Sequence, residues 1–125
     1  MKKIIHTENA PTPTGPYSQA IKIDKFLFVS GQIAIDPTQG KIVATNIKEQ
    51  TSRVMENIKA ILQAANFDLS DIVQTTVYLS SMQLFTEFNN AYATYFDKNF
   101  PARITVEAKL PQSALVEISA IANKE

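Results

Sequence analysis

The sequence predicts an α+β fold in which two helices cover one face of a sheet. Two segments carry apolar residues at spacings of three and four, the period of an amphipathic helix. The remaining apolar segments are short and mostly alternate with polar residues, as strands do. The two kinds of segment interleave along the chain. With 125 residues, 45% of them hydrophobic, we expect residues 1–125 to form one domain with a substantial core.

The first third of the chain predicts a strand and a hairpin. Residues 3–7 form a short strand candidate, and residues 20–32 form a hairpin that turns at Asp24–Lys25. The second arm, FLFVSGQ, is apolar on both faces, which is typical of a central strand. The preceding ENAPTPTGPYSQ has three prolines and predicts an ordered loop. IDPTQGKIV predicts a further turn, with Gly40 at a positive-φ position.

The middle of the chain predicts two helices and a strand. The first helix spans about Ile47–Ala65, with Asn46 as its N-cap. Asn66 can end it in the left-handed conformation. The alternating DIVQTTVYLS predicts a strand, and the second helix spans about Met82–Phe96.

The last two strands are expected to form a hairpin, from Arg103 to Leu110 and from Leu115 to Ala122. In the first of them we expect the apolar residues to be buried and the polar ones to be solvated. A hairpin of matching register would place Arg103, Thr105 and Glu117 on one face of the sheet. The sheet face without helices must be solvated or buried in an oligomer. The apolar arm of the first hairpin favours an oligomer.

The composition excludes several classes of function. Twelve basic residues balance twelve acidic ones without clustering, so the basic patch expected of a nucleic-acid-binding protein is missing. The absence of cysteine excludes disulfides and cysteine-based zinc sites. His6 is the only histidine, which argues against catalytic triads and histidine-rich metal sites. The three glycines are too scattered for a nucleotide-binding loop. We expect neither metal nor cofactor.

The chain shows no membrane or export signal. Its N-terminus has two lysines followed by only two apolar residues, and no apolar run approaches membrane-spanning length. We therefore expect a cytoplasmic protein without a membrane partner.

Three polar residues are candidates for a site. Arg103 is either a structural ion pair with Glu117 or Glu107, or a bidentate fork for a substrate carboxylate. Glu117 is either a solvated strand residue or a group that orients and deprotonates a water. Asn89 falls on the apolar side of the second helix, where a buried amide needs partners. It either ties a neighbouring loop or presents a polar group to a pocket.

Several short motifs occur in a characteristic order along the chain. They are Ala10-Pro11, Gly15-Pro16-Tyr17-Ser18-Gln19, Phe28-Val29-Ser30-Gly31-Gln32, Asn57-Ile58, Phe85 and Asn89 with Tyr92 and Phe96, Pro101-Ala102-Arg103, Leu110-Pro111 and Val116-Glu117-Ile118. In this order, over essentially the whole chain, they resemble the RidA family, also called YjgF, of reactive-intermediate deaminases. The resemblance implies a chorismate-mutase-like α+β fold with a mixed, mostly antiparallel sheet. It also implies a homotrimer with three pockets between neighbouring subunits.

The resemblance further implies hydrolysis of 2-imino acids, or their enamine tautomers, to 2-oxo acids and ammonia. A protonated imine is already electrophilic, so neither a metal nor a covalent nucleophile is required. By this analogy Arg103 grips the carboxylate and Glu117 positions the water. Backbone groups near Thr105 and Gly31 contact the imine or the water. The pocket is lined by Tyr17, Ser30 and Asn89.

One position departs from the family pattern, because many relatives carry cysteine where this chain has Thr105. Imine hydrolysis does not need a thiol, so we expect activity to survive. The main alternative is a regulatory trimer that binds small carboxylates without turnover. A second is an RNA-acting translation inhibitor, against which the charge balance and the single histidine argue. A third is a chaperone-like holdase, for which the sequence offers no particular sign.

Overall fold

A computed structural model describes all 125 residues. Its main sheet has six strands in the order β1-β2-β3-β8-β6-β7, and β4 and β5 form a separate two-stranded ribbon. All neighbours in the main sheet are antiparallel except β6 and β7, which run parallel. The strands and helices are β1 Lys3–Ile5, β2 Ala20–Ile23, β3 Phe26–Gln32, β4 Ile35–Asp36, β5 Lys41–Ile42, α1 Ile47–Ala64, β6 Ile72–Leu79, α2 Phe85–Ala93, β7 Ala102–Glu107 and β8 Val116–Asn123.

The expected α+β class is confirmed, as are the mixed sheet and the two helices on one face. The first hairpin is confirmed, and β3 lies between two strands as its apolar character indicated. Gly40 has the expected positive φ of 71°. The turn that contains Gly40 connects the short strands β4 and β5, which the sequence did not indicate. The helix α2 ends at Ala93, three residues earlier than expected.

Helix α1 begins and ends where its capping residues predict. The Asn46 side chain accepts a hydrogen bond from Glu49 N at 2.9 Å, and its Nδ2 donates to Glu49 Oε1 at 2.8 Å. Asn66 has φ 64°, the left-handed conformation that ends a helix. The apolar stripe between these ends is buried in a core cluster of 23 residues. Helix α1 thereby packs over the two central strands, β3 and β8.

The expected hairpin between the last two strands is wrong. Strand β8 lies at the centre of the sheet, between β3 and β6, and β7 is an outer strand that pairs only with β6. One parity of β8 is completely buried, so this strand is most stable with a neighbour on each side. The connection therefore crosses the end of β6, where Ser80 N donates to Leu115 O at 3.0 Å. Its turn uses left-handed conformations at Gln112 and Ser113.

The common sheet face expected for Arg103, Thr105 and Glu117 is also wrong. Arg103 and Thr105 pair with buried residues of β6, so their side chains lie on the helix side of the sheet. Glu117 pairs with Tyr78 and lies on the opposite, open face. The apolar parity of β7 faces the same open side, where Ile104 is 53% exposed. The pairing partner of each strand, rather than its own polarity, therefore decides which parity is buried.

Candidate active site

Arg103 projects from the outer strand β7 towards helix α2. Its guanidinium carbon lies 5.7, 5.5 and 5.1 Å from the ring centroids of Phe85, Phe88 and Tyr92. Cation–π contact of this kind stabilises a cation without using its hydrogen-bond donors. The single salt bridge of the chain joins His6 and Glu8, so the structural ion pair considered for Arg103 does not form. Its planar set of donors is free to bind an anion.

A cavity of about 280 Å³ lies beside the Arg103 guanidinium. It is lined by Asn89, Tyr92, Ala93, Phe100, Pro101 and Arg103. The Asn89 side chain ties no loop, since its Oδ1 is buried without a partner. The hydroxyl of Thr105, on the same sheet face two residues from Arg103, is also buried without a partner. Of the two alternatives for Asn89, the structure therefore favours a polar group presented to a pocket.

The ring of Tyr92 packs against the Arg103 guanidinium. Its hydroxyl shares a buried hydrogen bond of 2.7 Å with Thr75 Oγ1, in the strand adjacent to β7. Burial raises the pKa of Tyr92, so the phenol stays neutral beside the guanidinium. Nothing in the sequence indicated this contact between Tyr92 and Arg103, because it joins a helix and a strand from different parts of the chain.

Glu117 lies on the open face of the sheet, against the backbone of strand β3. A Cβ built on Gly31 would overlap Glu117 Oε2 and lie 3.1 Å from its Cδ. Burial raises the pKa of the Glu117 carboxyl, and no hydrogen bond or opposite charge offsets it. A carboxyl with a raised pKa is suited to accept and return a proton near neutral pH.

The proline-rich loop brings Tyr17 and Ser30 to the same region. The Ser30 hydroxyl donates to Ser18 O at 2.6 Å, which ties β3 to this loop. The Gln19 carboxamide fastens the loop further, with Nε2 donating to Pro11 O at 2.9 Å and Oε1 accepting from Thr7 N at 2.7 Å. Tyr17, 48% exposed, lines a small cavity together with Gly31 and Glu117.

Two cavities meet at Glu117 and Gly31, which line both. The larger, of about 470 Å³, lies on the open face and is completed by Tyr78, Ala108, Lys109, Leu110 and Ser119. The smaller, of about 60 Å³, lies towards the proline-rich loop and reaches Tyr17. Its polar lining includes Gln32, which the sequence analysis did not single out.

The candidate residues thus form two groups on opposite faces of one sheet. The first consists of Arg103, Thr105 and Asn89, and the second of Tyr17, Gly31 and Glu117. Ser30 lines neither of the two cavities at Glu117, and its hydroxyl is bonded to Ser18 O. No three His, Cys, Asp or Glu side chains converge where they could hold a metal ion. Neither α-helix combines the length and apolar character needed to cross a membrane.

A family model described as Endoribonuclease L-PSP matches residues 7–124. The chain belongs to this family, and the resemblance to the RidA family is confirmed. It is 56% identical over 126 residues to a RutC family protein of Pyrococcus horikoshii, covering all of both chains. It is 39% identical to the human 2-iminobutanoate/2-iminopropanoate deaminase, covering 98% of this chain and 90% of that protein. Among solved structures, Escherichia coli TdcF with bound serine is 36% identical with a TM-score of 0.94, covering 98% of this chain and 99% of that one.

Proposed function

We propose that this protein hydrolyses 2-imino acids, such as 2-iminobutanoate and 2-iminopropanoate, to 2-oxo acids and ammonia. The observation that carries the proposal is the unpaired Arg103 guanidinium, held over three aromatic rings beside an open cavity. A small carboxylate satisfies its donors bidentately. The human relative is named as a deaminase of these two imino acids, and TdcF carries a bound serine, itself a small carboxylate.

We propose further that the site is assembled between copies of the chain in a homotrimer. Arg103 and Glu117 face opposite sides of one sheet, so a single chain cannot direct both at one small substrate. The open face carries apolar side chains that are 41–53% exposed: Phe26, Phe28, Val73, Ile104 and Val106. An apolar patch of this kind is typical of an interaction surface. Packing the β7 edge of one copy against the open face of the next unites the two groups.

The proposed reaction needs only these side chains and a water. Arg103 binds the carboxylate and leaves the adjacent C=N carbon open to attack. Glu117 takes a proton from the water as its oxygen bonds to that carbon, which gives a carbinolamine. Glu117 then returns the proton to the amine nitrogen, and the C–N bond breaks as the hydroxyl gives its proton to Glu117 and the C=O bond forms. The ammonia takes this proton from Glu117 and carries away, as ammonium, the proton that the protonated imine brought. Imine and water have then become 2-oxo acid and ammonia.

Asn89 and Thr105 complete the arginine side of the site. Both present buried oxygens without partners, and a protonated imine offers N–H donors to such acceptors. Thr105 takes no covalent part, because water is the nucleophile. Its hydroxyl oxygen and backbone serve as polar contacts, and no thiol is needed.

The proposal is tested by generating 2-iminobutanoate from threonine with a purified dehydratase. The rate of 2-oxobutanoate formation is measured with and without this protein, in the presence of an amine trap. The proposal predicts acceleration by the wild type and its loss in Arg103→Ala. No acceleration by the folded wild type would contradict it.

Two other functions are separated by simple measurements. If the protein is a carboxylate-binding regulator, the wild type binds small carboxylates but does not turn over the imine. If it is the proposed deaminase, the wild type is active, and Glu117→Ala abolishes catalysis but spares ligand binding. The second alternative function is RNA cleavage, which the description of the family model favours. Cleavage of RNA by the pure protein, abolished in Glu117→Ala, would support it.

A further inference from the structure

We propose that the small cavity behind Glu117 is a water-binding site that supplies the nucleophile, and that Gln32 positions this water. The inference rests on the proposed function and concerns where its water comes from. Glu117 and Gly31 line both this cavity and the larger one on the open face. The carboxylate of Glu117 is therefore accessible from two separate spaces.

The size and lining of the small cavity suit water. Its volume of about 60 Å³ holds about two to six molecules, at 10–30 Å³ for each. Three of its twelve lining residues are hydrophobic, so a water there finds several polar partners. The polar side chains include Thr12, Thr14, Tyr17, Gln32, Gln112 and Glu117. A hydrophobic substrate side chain has no comparable place in this cavity.

Two buried glutamines line the cavity, but their hydrogen bonds differ. The Gln19 carboxamide, 1% exposed, is used by Thr7, Ala10 and Pro11 of the loop. The Gln32 carboxamide, 5% exposed, makes one hydrogen bond, from Nε2 to Ser30 O at 3.3 Å. A carboxamide offers two N–H donors and one oxygen acceptor. Gln32 therefore keeps one donor and its acceptor for cavity water, whereas Gln19 holds the loop.

The two spaces give the reactants separate routes. The substrate enters from the open face, where Arg103 of a second copy would hold its carboxylate, and then covers that side of Glu117. Water in the small cavity remains in reach of the other side of the carboxylate. There the Gln32 side-chain oxygen accepts a hydrogen bond from the water, and Glu117 takes the water's other proton as the oxygen bonds to the imine carbon. The small cavity can then refill while the substrate site remains closed.

The test compares Gln32→Leu with the wild type in the imine assay. Without a polar partner for the water, we expect kcat to fall about 10- to 100-fold while KM stays within about two-fold. Loss of water beside Glu117 removes solvation of its carboxylate, so the acid limb of the pH–kcat profile should move to higher pH. Gln32→Asn keeps a carboxamide and should recover most of kcat. A fall in kcat without the shift in pH profile would indicate a structural role and overturn the proposal.

Gln50→Leu is the matched control. Gln50 is also buried, but it binds Ala44 O and Leu115 N outside both cavities, so its loss should lower the Tm and leave kcat unchanged. Inactivity of the wild type would refute the proposed function itself. An active wild type with unchanged kcat in Gln32→Leu would overturn only this inference. Should Gln32→Leu fail to fold, a high-resolution crystal structure of the wild type decides: water bonded to Gln32 and Glu117 supports the proposal, and a dry cavity overturns it.

Discussion

The α-carbon of Gly31 lies directly against the carboxylate of Glu117, with no room for a side chain between them. Gly31 does not have a positive φ, so alanine is compatible with its backbone and only the carboxylate excludes it. The glycine in the Ser30-Gly31-Gln32 segment therefore determines where the carboxylate lies. The register shift between Val29 and Gln32 in the β3–β8 pairing contains this contact.

Replacing Gly31 with alanine should displace Glu117 and impair catalysis more than stability. A displacement of about 1 Å in a catalytic group costs about 10²-fold, and we expect a loss of kcat of that order. Gly40→Ala is the control, because Gly40 has φ 71° and no atom within 4 Å of an added Cβ. That variant should lose about 1 kcal/mol of stability and keep its kcat. Equal kcat values for both variants would contradict the role of Gly31.

Arg103→Lys should fail to restore what Arg103→Ala loses. A lysine keeps the charge but lacks the planar fork that binds a carboxylate through two hydrogen bonds. With about 1.5–3 kcal/mol for a charge-assisted bond, we expect kcat/KM to fall at least about 10-fold in Arg103→Lys. The kcat/KM of each variant is measured with 2-iminobutanoate. A kcat/KM of Arg103→Lys equal to that of the wild type would show that the positive charge alone suffices.

The ring of Tyr92, rather than its hydroxyl, should be what positions Arg103. Tyr92→Phe leaves the ring in place but orphans Thr75 Oγ1, so it should cost about 1–3 kcal/mol of stability and preserve kcat/KM. Tyr92→Leu removes the ring at 5.1 Å from the guanidinium and should lower kcat/KM several-fold. Thermal unfolding and kinetics of both variants separate the two effects. Wild-type kinetics in Tyr92→Leu would exclude the positioning role.

The raised pKa of Glu117 predicts two pH effects. As the base, Glu117 must be ionised, so kcat should fall with decreasing pH around a midpoint above 4.5, the ordinary value for glutamate. Because its pKa is raised in the folded state, ionised Glu117 destabilises the fold, and this cost develops as pH rises through the folded-state pKa.

Glu117→Gln should therefore raise the Tm at neutral pH, and the difference should vanish below the unfolded-state pKa of glutamate. Thermal unfolding across the pH range measures this directly. A lower Tm for Glu117→Gln at pH 7 would show that an unrecognised partner stabilises the carboxylate.

Local sequence patterns predicted individual elements well, and pairing between distant elements poorly. The caps Asn46 and Asn66 act on adjacent backbone, so their residue types suffice to locate helix α1. The partner of β7 depends on where β8 inserts, which is a contact between distant segments. Likewise, the sequence marked Arg103 and Glu117 as polar residues in apolar strands, but it did not indicate the sheet faces on which they lie. The strand order and register of the sheet place the two side chains on opposite faces.

The central claim, that Arg103 and Glu117 act together from different copies of the chain, is tested most directly by subunit complementation. Arg103→Ala and Glu117→Ala are each expected to be inactive, and the two are unfolded together in equal amounts and refolded. If each site takes its arginine from one copy and its glutamate from the next, about one quarter of the sites regain both groups and about a quarter of wild-type activity returns. If both groups act from one chain, no mixed assembly contains a complete site. Refolded oligomers without activity would contradict the account.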